Sequence, residues 1–160
     1  MRQLLALAAL LWVCAAHGQD SAPLFSAALT GLDGQPQALT QWKGRPLVVN
    51  FWARWCGPCR TEIPELIKLR QRYAGKGLEV LGIGIEDKVD AVRDFAKAYE
   101  MDYPVLLARD KGLDLMKTLG NSRMGLPFTI AIDRAGKIVV LKMGAMKADE
   151  LAAAAEAALK

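Results

Sequence analysis

Residues Pro46 to Cys59 read PLVVNFWARWCGPC, and no other stretch limits the possible folds as tightly. Pro46 to Ala53 is a nearly unbroken apolar run, rich in β-branched and aromatic residues, and it reads as a buried central strand. Helical spacing begins just after Trp55. Ile63, Leu66, Ile67 and the aliphatic stem of Arg70 recur at helical intervals up to Tyr73. Two cysteines three positions apart therefore sit where a central strand hands over to a helix. Cys56 falls at the handover and Cys59 one helical turn further on, so both sulfurs can share one helix end. Their separation suits a disulfide. Pro58 lacks a backbone N–H and is tolerated in a first turn.

The rest of the chain extends this unit. Leu78 to Ile85 (LEVLGIGI) reads as a second buried strand. Val89, Val92, Phe95 with Ala96, and Tyr99 mark an amphipathic helix, with Asp87 as its expected cap. PVLLA is a short strand, and Leu113 to Leu119 a short helix. FTIAID and KIVVLKMG flank RAG and read as an antiparallel hairpin; Lys147 to Leu159 is alanine-rich and helical. Ahead of the central strand, Asp33-Gly34 between extended stretches predicts an N-terminal β-hairpin. Strand–helix alternation followed by a closing hairpin predicts an α/β fold with a mixed central sheet and helices on both faces.

The first twenty residues, MRQLLALAALLWVCAAHGQD, differ in kind. Arg2 precedes an uncharged run from Leu4 to Ala16, and small residues follow. A basic head, a short apolar run and a small-residue site read as a secretory signal peptide over residues 1–18, leaving one domain over 19–160. The alternatives are an uncleaved N-terminal anchor and a lipid-modified Cys14, the latter disfavoured because Val13 before it is not small. Cleavage would remove Cys14 and His17, the sole histidine, and leave Cys56 and Cys59 as the mature chain's only cysteines. Without histidine the mature chain has no Cys–His or Ser–His mechanism and no His-based metal site. The net charge of +4 is dispersed along the chain. No basic stripe indicates a nucleic-acid partner.

A thiolate at Cys56 would face the positive end of the helix and its unpaired backbone N–H groups. That placement lowers a thiol pKa from about 8.5 toward 7 or less. Cys56 would then attack another protein's disulfide, and Cys59 would resolve the mixed disulfide. Three blander readings compete. A structural staple here would close only a tiny loop, where chain-entropy stabilisation is small. A zinc site needs more ligands than one pair provides. A carrier of Cu(I) on two thiolates stays open.

FWARWCGPCRTEIPEL, followed further along by GLPFT, resembles the thioredoxin superfamily, and more narrowly its TlpA/ResA-like secreted thiol–disulfide oxidoreductases. The lead LTGLDGQPQALTQWKGRPLVVNFWA and the stretch AIDRAGKIV resemble the same branch. The likeness runs from about Phe25 to the C-terminus. It implies a thioredoxin-like fold, with Cys56 attacking and Cys59 resolving. Trp55 corresponds to the aromatic flanking the attacking sulfur, and Pro64 to a kinking proline in the active-site helix. Pro127 corresponds to a cis-proline that faces the sulfurs, and Leu126 before it would offer its backbone to an extended substrate segment. Thioredoxin itself carries a buried aspartate six residues before the first cysteine; here that position is Asn50, which cannot accept a proton. Glu62 resembles the active-site glutamate of the TlpA/ResA branch. Partly buried, it would have a raised pKa and could shuttle the proton; as a solvated first-turn residue it would only favour the helix N-terminus.

The resemblance implies an exported disulfide reductase, periplasmic or held at the inner membrane. Its partners would be exported client proteins with disulfides, such as apocytochrome c or copper-site proteins, and a membrane thiol electron donor. Contact with the membrane itself is expected only if the leading segment is kept as an anchor. Dithiol exchange needs no organic cofactor and no metal. A thiol oxidase or isomerase is the rival within the same chemistry, a Cu(I) carrier the rival outside it, and a peroxidase a third.

Overall fold

The computed structural model describes residues 20–160. The expectations for a signal peptide, Cys14 and His17 lie outside the described residues. One helical turn, α1 (Ala22–Phe25), leads into a hairpin of β1 (Ala28–Gly31) and β2 (Pro36–Ala38). Then come β3 (Leu47–Trp52), α2 (Gly57–Tyr73), β4 (Glu79–Gly84), α3 (Val89–Ala98), β5 (Val105–Leu107) and α4 (Gly112–Thr118). A second hairpin, β6 (Phe128–Ile132) and β7 (Ile138–Met143), precedes α5 (Ala148–Leu159).

The strands form one mixed sheet in the order β2-β1-β5-β4-β3-β6-β7. β3, β4 and β5 run parallel, whereas β1 pairs antiparallel with β5 and β6 antiparallel with β3. This is the thioredoxin-like α/β architecture read from the sequence. All six residues of β3 are buried, as its unbroken apolar composition requires of a central strand covered on both faces. Val48 and Trp52 pack with side chains of α2, α3 and α5 on one face. Leu47, Val49 and Phe51 pack with α1 and α4 on the other. The alternation of β3 side chains thus divides the core into two layers.

One local expectation is corrected, and one short element is new. Asp87 does not cap α3: the N-cap is Lys88, with no side-chain cap bond, and the first helical bond runs from the Val92 amide to the Lys88 carbonyl at 3.1 Å. The helix starts one residue later than the capping pattern indicates. The turn α1 has no counterpart in the sequence reading, because four residues are too few to display a helical period. Its Leu24 is fully buried, and both the amide and the hydroxyl of Ser21 hold the Gly136 carbonyl in the β6–β7 turn.

Candidate active site

Cys56 is the N-cap of α2, in extended conformation, and its Sγ accepts the Cys59 N–H at 3.2 Å. The two sulfurs form a disulfide with Cα atoms 5.3 Å apart. The preceding loop is pinned: the Cys56 amide donates to the Ala53 carbonyl at 3.1 Å, and Arg54 gives both its amide and its Nε to Glu86. Junction geometry therefore makes the two cysteines unequal. Cys59 is 1% exposed, within the helix, while Cys56 retains 5% at its mouth. The pair is more enclosed than a freely reachable thiol, and the remaining access is at Cys56. Trp55, next to it, is 70% exposed. Its large apolar side chain thus stands in water beside the sulfur pair.

Glu62 lies one turn beyond Cys59 on the same side of α2. It is 2% exposed, where the sequence predicts only partial burial. Asn50 Nδ2 of β3 donates to Glu62 Oε2 at 2.9 Å, and the Met146 amide, just before α5, donates to Oε1 at 2.8 Å. The same Asn50 nitrogen donates to Thr129 Oγ1 of β6 at 2.9 Å. Burial pushes the Glu62 carboxyl above the usual carboxylate range; the hydrogen bonds from Met146 and Asn50 oppose this, and nearby Glu150 adds to it. The result is a buried carboxyl with two donors, suited to holding and yielding a proton.

The Leu126–Pro127 bond is cis. Phe128 pairs with Phe51, which sets Pro127 beside the end of β3 where the cysteine loop begins. Leu126 packs against the core cluster containing both cysteines. Among the described residues its amide and carbonyl take part in no backbone hydrogen bond, whereas the Pro127 carbonyl accepts from the Gly144 amide at 2.8 Å. Asn121 Nδ2, donating to the Gly125 carbonyl at 2.8 Å, holds the loop from within. Pro64 sits on the exposed side of α2, which continues through it to Tyr73.

The structure thus gathers Cys56, Cys59, Leu126 and Pro127 at one end of the sheet, with Glu62 beneath and Trp55 in solvent. Sequence reasoning notices Asn50 only for the proton it cannot take. It misses Asn50 as a donor to Glu62, and it misses Thr129 and the Met146 amide. One signal is present: a polar residue inside PLVVNFWA must be buried and therefore needs partners. Nothing local says which partners. Among the described residues, no group of three or more His, Cys, Asp or Glu gathers as a metal site, and no helix is long and apolar enough to cross a membrane.

Comparison with known proteins agrees with this geometry. The family model described as Redoxin matches residues 18–159. Thiol-disulfide oxidoreductase ResA of Bacillus thuringiensis subsp. konkukian is 35% identical over 111 residues, which cover 69% of this chain and 62% of that protein. The chain thus spans less than two thirds of that relative's length. Thioredoxin-like protein YneN of Bacillus subtilis is 36% identical over 138 residues, covering 84% of this chain and 76% of that one. Among solved structures, a thiol:disulfide interchange protein of the thioredoxin family from Chlorobium tepidum superposes with a TM-score of 0.75 at 25% identity. That match covers 91% of this chain and 99% of the other.

Proposed function

The chain belongs to the Redoxin family, in the TlpA/ResA-like branch of the thioredoxin superfamily, and from that premise we propose that it is an exported thiol–disulfide oxidoreductase that reduces disulfides in other exported proteins. One observation carries the reading: a disulfide at the N-terminus of α2 whose outer sulfur accepts a helix amide and whose inner sulfur lies one turn from a buried carboxyl that accepts two hydrogen bonds.

In the reduced protein the helix N-terminus favours Cys56 as thiolate. That thiolate attacks one sulfur of the client disulfide. A Cys56–client bond forms, the client S–S bond breaks, and the second client sulfur leaves as a thiolate and takes a proton from water. Cys59 then gives its proton to the Glu62 carboxylate and attacks Cys56 Sγ. The Cys56–Cys59 bond forms and the first client sulfur departs with the electron pair. The client gains the two electrons that the protein loses. Trp55 and the free backbone of Leu126 would hold the client's extended segment, and the Pro127 turn would keep that segment against Cys56.

Export to the periplasm or a comparable oxidising space is part of this reading, by way of residues 1–18 as a cleaved signal or a retained anchor. Sequencing the mature N-terminus after membrane fractionation separates the two. Electrons would return from a membrane thiol donor. A reduction potential near the thioredoxin value of about −270 mV supports the reductant assignment, and one near about −120 mV overturns it in favour of an oxidase.

The central test is a Cys59→Ser trap in the native host. It should accumulate mixed disulfides through Cys56, and mass spectrometry of these names the clients. If Cys56→Ser traps clients and Cys59→Ser does not, the roles are reversed. If neither traps anything and the wild type does not reduce insulin, the reading fails.

A further inference from the structure

In the core layer shared by α2, α3 and α5, three buried polar atoms have no partner among the described residues: Asn50 Oδ1, Trp52 Nε1 and Tyr103 Oη. Asn50 and Trp52 are two apart on β3 and share a face of the sheet. Asn50 is paired with Gly82 of β4. A Cβ on Gly82 would stand 2.9 Å from Tyr103 Cε2 and 3.1 Å from Trp52 Nε1. The Tyr103 ring and the Trp52 N–H therefore converge over Gly82, one strand from Asn50. One acceptor, one donor and one hydroxyl that can do either thus belong to side chains grouped about the Asn50–Gly82 pair. Leaving each unpaired is costly, whereas two to four such partners hold an internal water.

We propose that Asn50 Oδ1, Trp52 Nε1–H and the Tyr103 hydroxyl bind one internal water, and that Tyr103 acts through it as a positioning residue for Glu62. The proposal rests on the thiol–disulfide reading above. Its logic is the reversal of hydrogen-bond polarity. With Glu62 ionised, Asn50 Nδ2 faces the carboxylate and Thr129, as in the structure. The water then accepts from Trp52 and Tyr103 and donates to Asn50 Oδ1. With Glu62 protonated by Cys59, its O–H needs an acceptor. A half-turn of the Asn50 amide brings Oδ1 to Glu62 and to the Thr129 hydroxyl, and swings Nδ2 to the water. The water now accepts from Asn50 and Trp52 and donates to Tyr103. Water, Thr129 and Tyr103 can each reverse direction, so Glu62, Asn50 Oδ1 and the Trp52 N–H are paired in both states, whereas the Tyr103 O–H and one Asn50 N–H lack an acceptor when Glu62 is protonated. The chain of donors aimed at the ionised form is charge-assisted, so it favours the carboxylate.

The other groups facing Glu62 stay fixed in this scheme. These are Cys59 on its own helix and Glu150 of α5, which Lys142 of β7 holds at 2.6 Å. Asp102 lies beside Tyr103 in sequence.

The test is Tyr103→Phe in the full, oxidised protein, where neither cysteine titrates and no turnover is needed. Its outcome is therefore independent of the Cys59→Ser trap. In wild type, water-selective NMR on a tryptophan-labelled sample should show a long-lived water at the Trp52 indole N–H. Tyr103→Phe should weaken that signal. It should also move the infrared-detected protonation of Glu62 to higher pH by about one unit, about tenfold in the equilibrium. Absence of the water signal in wild type overturns the site. An unmoved Glu62 titration, with a melting temperature raised by loss of an idle hydroxyl, overturns the positioning role.

Discussion

The substitution Glu62→Gln tests the burial of this carboxyl without any assumption about clients. Burial raises its folded pKa above the unfolded value. Between the two values the folded state keeps a proton that the unfolded state has lost. Stability is then fully present below the unfolded pKa and falls as pH rises through the folded pKa. The slope is about 1.4 kcal/mol for each pH unit in that window, ending in a plateau above it. The Glu62→Gln protein has no such window. Its side-chain amide oxygen accepts the Met146 N–H, and a turned Asn50 amide accepts the new N–H, so packing is retained. The Glu156 carboxyl, which Lys76 holds below the usual range, titrates alike in both proteins and cancels in the difference; Glu150, held below that range by Lys142, ionises before Glu62 does and so lies outside the window in which the two proteins differ. Urea unfolding of the two oxidised proteins should be compared from pH 4 upward. With an m-value of about 1–3 kcal/mol/M, the wild-type midpoint should fall relative to the variant by about 0.5–1.4 M per pH unit until the plateau. Parallel curves across the range would refute the desolvated carboxyl and, with it, a proton store beneath Cys59.

Two further substitutions separate packing from recognition. Gly82→Ala should destabilise the fold by about 1–3 kcal/mol, because its methyl meets the ring of Tyr103 and the indole of Trp52, both confined by the core; chemical denaturation reads this, and an unchanged midpoint would contradict the close approach over Gly82. Trp55→Ala should leave stability within about 0.5 kcal/mol, since the side chain stands in water. It should slow exchange with protein disulfides severalfold while sparing a small disulfide, a contrast seen by comparing insulin with oxidised glutathione.

The contrast between Glu62 and Asn50 shows where sequence reading stops. Order and type of elements follow from local periodicity: the apolar run of β3, the helical spacing of α2 and the alternation after them. The cysteine junction is equally local, because three positions at a helix start place both sulfurs at one end whatever surrounds them. The covering of β3 on both faces is legible from the lack of alternation along it. Single-turn elements such as α1 carry no period and are not.

Only the tertiary structure decided what surrounds the proton-handling group. Asn50 meets Thr129 across 79 positions, and Glu62 meets the Met146 amide across 84. Which residues complete such a network depends on strand order and helix docking, set by packing of the whole core. The same holds for Tyr103 over Gly82. Sequence alone determined that a dithiol stands at a strand–helix junction; the sheet's assembly decided that Glu62 lies dry, between two donors, because burial belongs to the fold and not to the residue.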